Sequence, residues 1–236
     1  MTSNILKTVR GAVNNFQFTN VHFDVIGTAG AVVAYMAGQE SAWTRGLRGF
    51  VIAAWADRGI AALGKLPIRG DYVLGNLKTE LLQSNLFAVF EEATLHPYLD
   101  TVGHRIAMVF RFVISCGMGI VAIRALRHPG DLKTQDGIDS LIGVAWAIGR
   151  EIVIQKMDDK WRLRFGIVSN SLLYGLGQAH KFPNHFFYKF ASSFIFRMIC
   201  GVSALDGQMW WRPERARWLP PFVVHMLFNT SRSFSS

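Results

Sequence analysis

The stretch IAMVFRFVISCGMGIVAI, residues 106–123, decides the fold predicted for this chain. Arg105 and Arg124 flank it, and Arg111 is the only charged residue inside it. A helix of this length extends about 27 Å at ~1.5 Å per residue, close to the ~30 Å hydrocarbon core of a bilayer. A buried helix in a soluble protein is usually shorter. The stretch therefore predicts a transmembrane helix.

The composition of the whole chain favours the same environment. Half of the 236 residues are hydrophobic and only 17% are charged, whereas about a quarter of the residues in a soluble domain are charged. A chain of this length accommodates about five to seven membrane helices. We expect an all-α, polytopic integral membrane protein with about five transmembrane helices, folded as a single membrane domain over residues 1–236.

Six other apolar stretches complete the predicted bundle. They are residues 21–38, 46–66, 138–155, 165–179, 186–205 and 222–228. Small residues three and four apart in 21–38 predict a face that a partner helix can approach closely. Charged residues interrupt 46–66, for which we expect a short span that ends near Trp55. The stretch 222–228 is too short to span a bilayer alone.

Polar segments separate these stretches. Residues 1–20 are basic, rich in hydroxyl side chains and free of acids, which is typical of mitochondrial targeting segments and suggests the mitochondrial inner membrane. Residues 67–100 are expected to be extramembrane or interfacial, with a short amphipathic helix at 79–90 between the second and third spans. The residues 155–164 form a charged connection. Residues 206–236 form an aromatic and basic tail typical of the headgroup level.

The net charge of +9 does not indicate nucleic-acid binding. The basic residues stand singly at the ends of apolar stretches and do not form one basic face with interleaved aromatics. This arrangement indicates contact with anionic phospholipids, although ordinary flanking of helix ends produces the same pattern. Basic residues occur in nearly every connection, so the orientation in the membrane stays open.

Charged residues inside apolar stretches are the strongest functional indication, because such residues mark ion pairs, lipid contacts or ion pathways. Three interpretations of Arg111 stay open: it extends toward the headgroups, it pairs with Asp24 or Glu151, or it binds a lipid phosphate. The candidates for lipid binding or intramembrane ion pairs are Asp24, Asp57, Arg105, Arg111, Arg124, Arg150, Glu151 and Arg197.

No pattern in the sequence predicts catalysis, a metal site or a bound cofactor other than structural phospholipids. Two cysteines, Cys116 and Cys200, permit neither a disulfide framework nor a zinc site. None of the seven histidines lies at the centre of a predicted span, as a bis-histidine haem requires. Glu92 and His96 lack the Glu-x-x-His spacing of di-iron bundles. Serine-hydrolase and phosphate-loop motifs are absent as well.

Two functional hypotheses follow. The first is a non-catalytic integral subunit of a larger membrane complex in an energy-transducing inner membrane, such as a respiratory or ATP synthase complex. Its partners are other membrane subunits and anionic phospholipids. The alternative is a small oligomeric ion or proton transporter that uses Asp24, Arg111, Arg150 and Glu151.

Overall fold

The computed structural model describes residues 18–64, 77–95, 137–179, 182–206 and 215–234, together with eight residues between 109 and 123. Most of these residues are helical. In chain order the helices are α1 (Asn20–Met36), α2 (Ala42–Leu63), α3 (Leu77–Leu95), α4 (Gly137–Gln155), α5 (Asp159–Ala179), α6 (Phe186–Ala204) and α7 (Leu219–Ser233). A 3-10 turn at Pro183–His185 precedes α6, and β1 (Leu205–Asp206) pairs antiparallel with β2 (Arg215–Ala216). The prediction of an all-α chain is confirmed for the described residues.

In the ranges described above, no helix is both long enough and apolar enough to cross a lipid bilayer.

The central stretch 106–123 is described in part. Eight of its residues are described, and each of them is helical. The rest of the stretch, with Arg105, Arg111 and Arg124, lies outside the described residues, as do residues 1–17 of the N-terminal segment.

The boundaries of three helices agree with the sequence prediction to within two residues. These helices are α1, α4 and α6. Gly38, with a φ of +66°, follows the end of α1 in the left-handed conformation that glycine adopts without strain. Ser41 then caps α2, because its hydroxyl accepts a hydrogen bond from the backbone N–H of Thr44 at 3.2 Å.

Four helices are longer than predicted, and buried polar residues account for two of the differences. Helix α2 continues past Trp55 to Leu63, with Asp57 turned into the bundle, and α3 continues through Glu91, which is also buried. Helix α5 begins at Asp159, inside the predicted charged connection. Helix α7 begins at a proline pair, which suits the first turn of a helix, and extends well beyond the predicted 222–228.

Helix α7 is the central element of the bundle. It packs against α1, α2, α3 and α6, while α5 packs along α6. Ala53, Phe196, Cys200 and Val224 form one apolar cluster at the junction of α2, α6 and α7. The C-terminal helix thus joins three elements from the first half of the chain to α6.

Glycines permit the close contact between α2 and α7. A Cβ atom at Gly46 would lie 2.6 Å from the Cβ of Val223 and 2.9 Å from the carbonyl oxygen of Pro220. At Gly49 it would lie 2.7 Å from Cγ2 of Val224. Only glycine therefore allows the two backbones to approach this closely.

Gly46→Ala is expected to lower the free energy of unfolding by about 1–3 kcal/mol, because the added methyl group overpacks the α2–α7 contact. Gly59→Ala is the matched control on the same helix, since a Cβ there meets no atom within 4 Å. The control should raise stability by about 0.5–1 kcal/mol through the better helix propensity of alanine. Thermal unfolding in mild detergent measures both. Equal effects of the two substitutions would contradict the close packing.

Candidate functional site

Four charged side chains meet where α1, α2 and α7 pack together. Arg232 donates from Nε to Oδ2 of Asp57 at 2.8 Å and from Nη1 to Oδ2 of Asp24 at 3.1 Å. Arg58 donates from Nε to the same Asp24 oxygen at 2.7 Å. We call Asp24, Asp57, Arg58 and Arg232 the interhelical ion network. Its two carboxylates and two guanidinium groups balance in charge.

Neutral donors complete the coordination of both carboxylates. Oδ1 of Asp24 accepts a hydrogen bond from the Ser231 hydroxyl, and Oδ1 of Asp57 accepts from the hydroxyls of Ser192 and Tyr188. Ser192 and Tyr188 bring α6 into the same group. Asp24 and Asp57 are both buried. Because each carboxylate oxygen accepts at least one bond, the arrangement is suited to holding four helices together.

A second buried ion pair joins α3 to α6. Arg197 Nη2 lies 2.5 Å from Oε2 of Glu91, and both side chains are only 2% exposed. The Arg197 guanidinium also lies 4.8 Å from the ring centre of Phe87 and 5.5 Å from that of Tyr174. Contacts with aromatic faces stabilise a guanidinium that has lost its water. Arg197 is therefore bound by one carboxylate and two aromatic rings.

A histidine on α7 forms a third polar group with α3. His225 stacks on Phe87 with ring centres 4.4 Å apart. Its Nδ1 lies 2.9 Å from the hydroxyl oxygen of Ser84, and Asn229 donates to Oε1 of Glu80 at 2.9 Å. His225 lies at the middle of α7, a helix that is longer than the apolar stretch 222–228 predicted from the sequence.

Polar bonds also join α4 to α5. Arg150 is buried and donates from Nε to the Ser169 hydroxyl and from Nη2 to the amide oxygen of Asn170, each at 2.9 Å. Its neighbour Glu151 is buried as well. These bonds link two helices that follow each other in the chain.

The structure places the predicted site residues in separate groups. Asp24 belongs to the interhelical ion network, Arg197 pairs with Glu91, and Arg150 bonds to α5. The hypothesis that Arg111 pairs with Asp24 or Glu151 falls outside the described residues, as do Arg105 and Arg124. Among the described residues, Asp24 bonds to Arg58 and Arg232.

Several partners were not singled out from the sequence. They are Arg58, Glu80, Glu91, His225 and Arg232. Arg58 directly follows Asp57 on α2 and does not face it. Both residues nevertheless belong to the interhelical ion network, Arg58 through Asp24 and Asp57 through Arg232. The spacing of Asn229 and Arg232 from His225, four and seven residues along α7, is a helical polar stripe that could have indicated an inward-facing side.

Within the ranges that the structure covers, no three His, Cys, Asp or Glu side chains are close enough together to hold a metal ion. Comparison of this chain with protein-family models, with curated proteins and with solved structures gave no match.

Proposed function

We propose that the protein is a non-catalytic integral subunit of a larger membrane complex, with a structural and lipid-binding role in an energy-transducing inner membrane. One observation carries the proposal. The bundle buries several charged side chains, some of them in ion pairs, and exposes many large aliphatic side chains on its outer surface.

The outer surface supports the proposal. On α1, Ile26 and Val33 are 61% and 66% exposed, and Leu86 on α3 is 62% exposed. Helix α4 presents a further exposed set, namely Val144, Trp146, Ile148, Ile152 and Val153. Single exposed aliphatic residues are ordinary, but contiguous exposed apolar surface marks contact with membrane or protein. Exposed apolar faces on three helices suit an environment of acyl chains and neighbouring helices.

The interior supports the same proposal. Arg197 heads the largest side chains that are completely buried, and Asp24, Glu91 and Arg150 are buried too. Charged residues of membrane bundles face the interior and pair with one another there. In this chain Asp24 and Arg197 each bond to a partner of opposite charge. Charges engaged in this way hold helices together, which favours a structural role.

The native mass of the assembly tests the proposal. Membranes are extracted with mild detergent, and the proteins that co-migrate with this chain are identified. We expect a large complex that contains several other membrane proteins, and we expect the chain to stay with the membrane pellet after alkaline carbonate washing. Release of the chain as a monomer without detergent would overturn the proposal.

Ile26→Asp is expected to reduce the fraction of the chain in the large complex at least tenfold. A charge at an exposed position of α1 would face acyl chains or a neighbouring helix, at a cost of about 2.5–3.5 kcal/mol at a membrane-helix centre. The thermal stability of the isolated chain in detergent should change by no more than about 0.5 kcal/mol, as for a surface substitution. Gln39→Asp, exposed in the linker between α1 and α2, is the control and should assemble normally. Normal assembly of Ile26→Asp would contradict the proposal that acyl chains or neighbouring helices cover this face of α1.

An ion-flux measurement distinguishes a transporter from a structural subunit. Asp24 and Arg150 bond to different partners on different helices, and this separation favours the structural role over a continuous pathway. Vesicles that contain the purified chain should show no more proton or ion flux than empty vesicles. Flux that disappears in an Asp24→Asn variant would favour the transporter.

A further inference from the structure

An open groove runs between α2 and α6 and is polar at only one end. Its volume is about 540 Å³. Its apolar walls are formed by Ile52 of α2 and by Met198, Ile199 and Val202 of α6. Its polar end, near Leu205, is lined by Glu40, Arg45 and Arg48. From Arg45 to Ile52 the groove follows two turns of α2, about 10 Å at ~1.5 Å per residue. Its shape and polarity match an elongated amphiphile.

The polar end carries a net positive charge. Arg48 Nη2 contacts both carboxylate oxygens of Glu40 at 2.9 Å, and Arg45 donates to the carbonyl oxygen of Leu205 at 2.7 Å. Two guanidinium groups therefore lie within the first two turns of α2, and one carboxylate, that of Glu40, lies just before the helix begins. The positive end of the helix dipole adds to this charge. An anionic headgroup is favoured there.

The ion pair between Arg48 and Glu40 at this end is partly exposed to solvent. The hydrogen bond from Arg48 lowers the pKa of Glu40, so both partners are charged at neutral pH. The two side chains are nevertheless 34% and 68% exposed, and exposed pairs contribute little to stability. A phosphate group can therefore take the place of the Glu40 carboxylate on Arg48 with little loss of stability.

We propose that this groove binds an anionic phospholipid, with one acyl chain along Ile52 and Val202 and the phosphate beside Arg45 and Arg48. The proposal rests on the membrane environment proposed above and assigns a lipid site to residues outside the predicted candidates. The apolar walls are exposed in the isolated chain, with Ile52 at 59% and Val202 at 39%. An acyl chain removes both side chains from water.

The test uses dioctanoyl phosphatidylglycerol, titrated into the purified full-length chain in mild detergent and followed by tryptophan fluorescence or calorimetry. Dioctanoyl phosphatidylcholine serves as the zwitterionic comparison. Arg48→Gln should weaken binding of phosphatidylglycerol on the order of fivefold, since a basic residue near an anionic headgroup contributes about that factor. Glu40→Gln should strengthen binding, because it removes a negative charge and the competing partner of Arg48.

Matched variants far from the groove distinguish binding at a specific site from a general effect of net charge. Lys156→Gln removes one positive charge, as Arg48→Gln does, and Asp158→Asn removes one negative charge, as Glu40→Gln does. Both positions are exposed and follow α4, so both variants should bind phosphatidylglycerol as the unmodified chain does. Equal affinity for the two lipids, or equal effects of Arg48→Gln and Lys156→Gln, would overturn the groove assignment. That result leaves the proposed function standing if the chain still migrates in a membrane complex. Conversely, a chain released without detergent that still binds phosphatidylglycerol through Arg48 would overturn the proposed function alone.

Discussion

Arg232→Met is expected to lower the free energy of unfolding by about 3–5 kcal/mol, the usual effect of removing one partner of a buried ion pair. Asp24 and Asp57 share this arginine, which lies 3.1 Å and 2.8 Å from them. Asp24 keeps Arg58 after the substitution, but the donors that Asp57 keeps among the described residues are the hydroxyl groups of Ser192 and Tyr188. Its buried charge is then uncompensated. Thermal unfolding in mild detergent should show a fall in Tm on the order of 10 °C.

Two further variants identify charge as the cause. Arg232→Met combined with Asp57→Asn should be more stable than Arg232→Met alone, because the amide removes the uncompensated charge while keeping the shape of the side chain. Arg48→Met removes an arginine from an exposed ion pair and should cost no more than about 1 kcal/mol. If Arg232→Met costs no more than Arg48→Met, the network does not hold the helices together.

The helices themselves could be predicted largely from the sequence, because most of them coincide with an apolar stretch between polar or Gly/Pro-containing segments. Their ends were harder to predict. The sequence predicts that α3 ends at residue 90, yet Glu91 lies within this helix and turns inward toward Arg197, which lies more than a hundred positions further along the chain. A single sequence contains no signal for a pairing at that separation.

The candidate site was predicted in part for the same reason. Asp24 and Arg197 were identified because a charge within an apolar stretch is conspicuous. Their partner Arg232 stands among polar residues, where a charge is ordinary, and Glu91 directly follows the apolar residues 86–90, at the predicted end of the helix. The apolar stretch 222–228 is too short to indicate the full length of α7, which packs against four other helices and is the central helix of the bundle. Tertiary contacts, and not local composition, determine the role of these residues.

The Glu91–Arg197 pair provides the second large effect. Arg197→Met is expected to destabilise the chain by about 3–5 kcal/mol, because Glu91 is 2% exposed and loses its buried cation. Glu91→Gln should be destabilising in turn, since it removes the carboxylate charge beside the buried guanidinium, and the attraction to the rings of Phe87 and Tyr174 amounts to only about 0.5–2 kcal/mol. Unfolding of both variants in mild detergent, followed by tryptophan fluorescence, measures the two effects.

The double variant Glu91→Gln, Arg197→Met decides whether the pair stabilises the fold or only satisfies two buried charges. Methionine fits beside the rings of Phe87 and Tyr174, and glutamine is neutral, so we expect the double variant to recover most of the stability lost by either single change. The coupling between the two positions should reach at least about 3 kcal/mol. Additive losses would show that the two side chains act independently. A double variant more stable than the unmodified chain would show that the ion pair does not stabilise the fold. The role of the pair would then lie in fixing how α3 packs against α6.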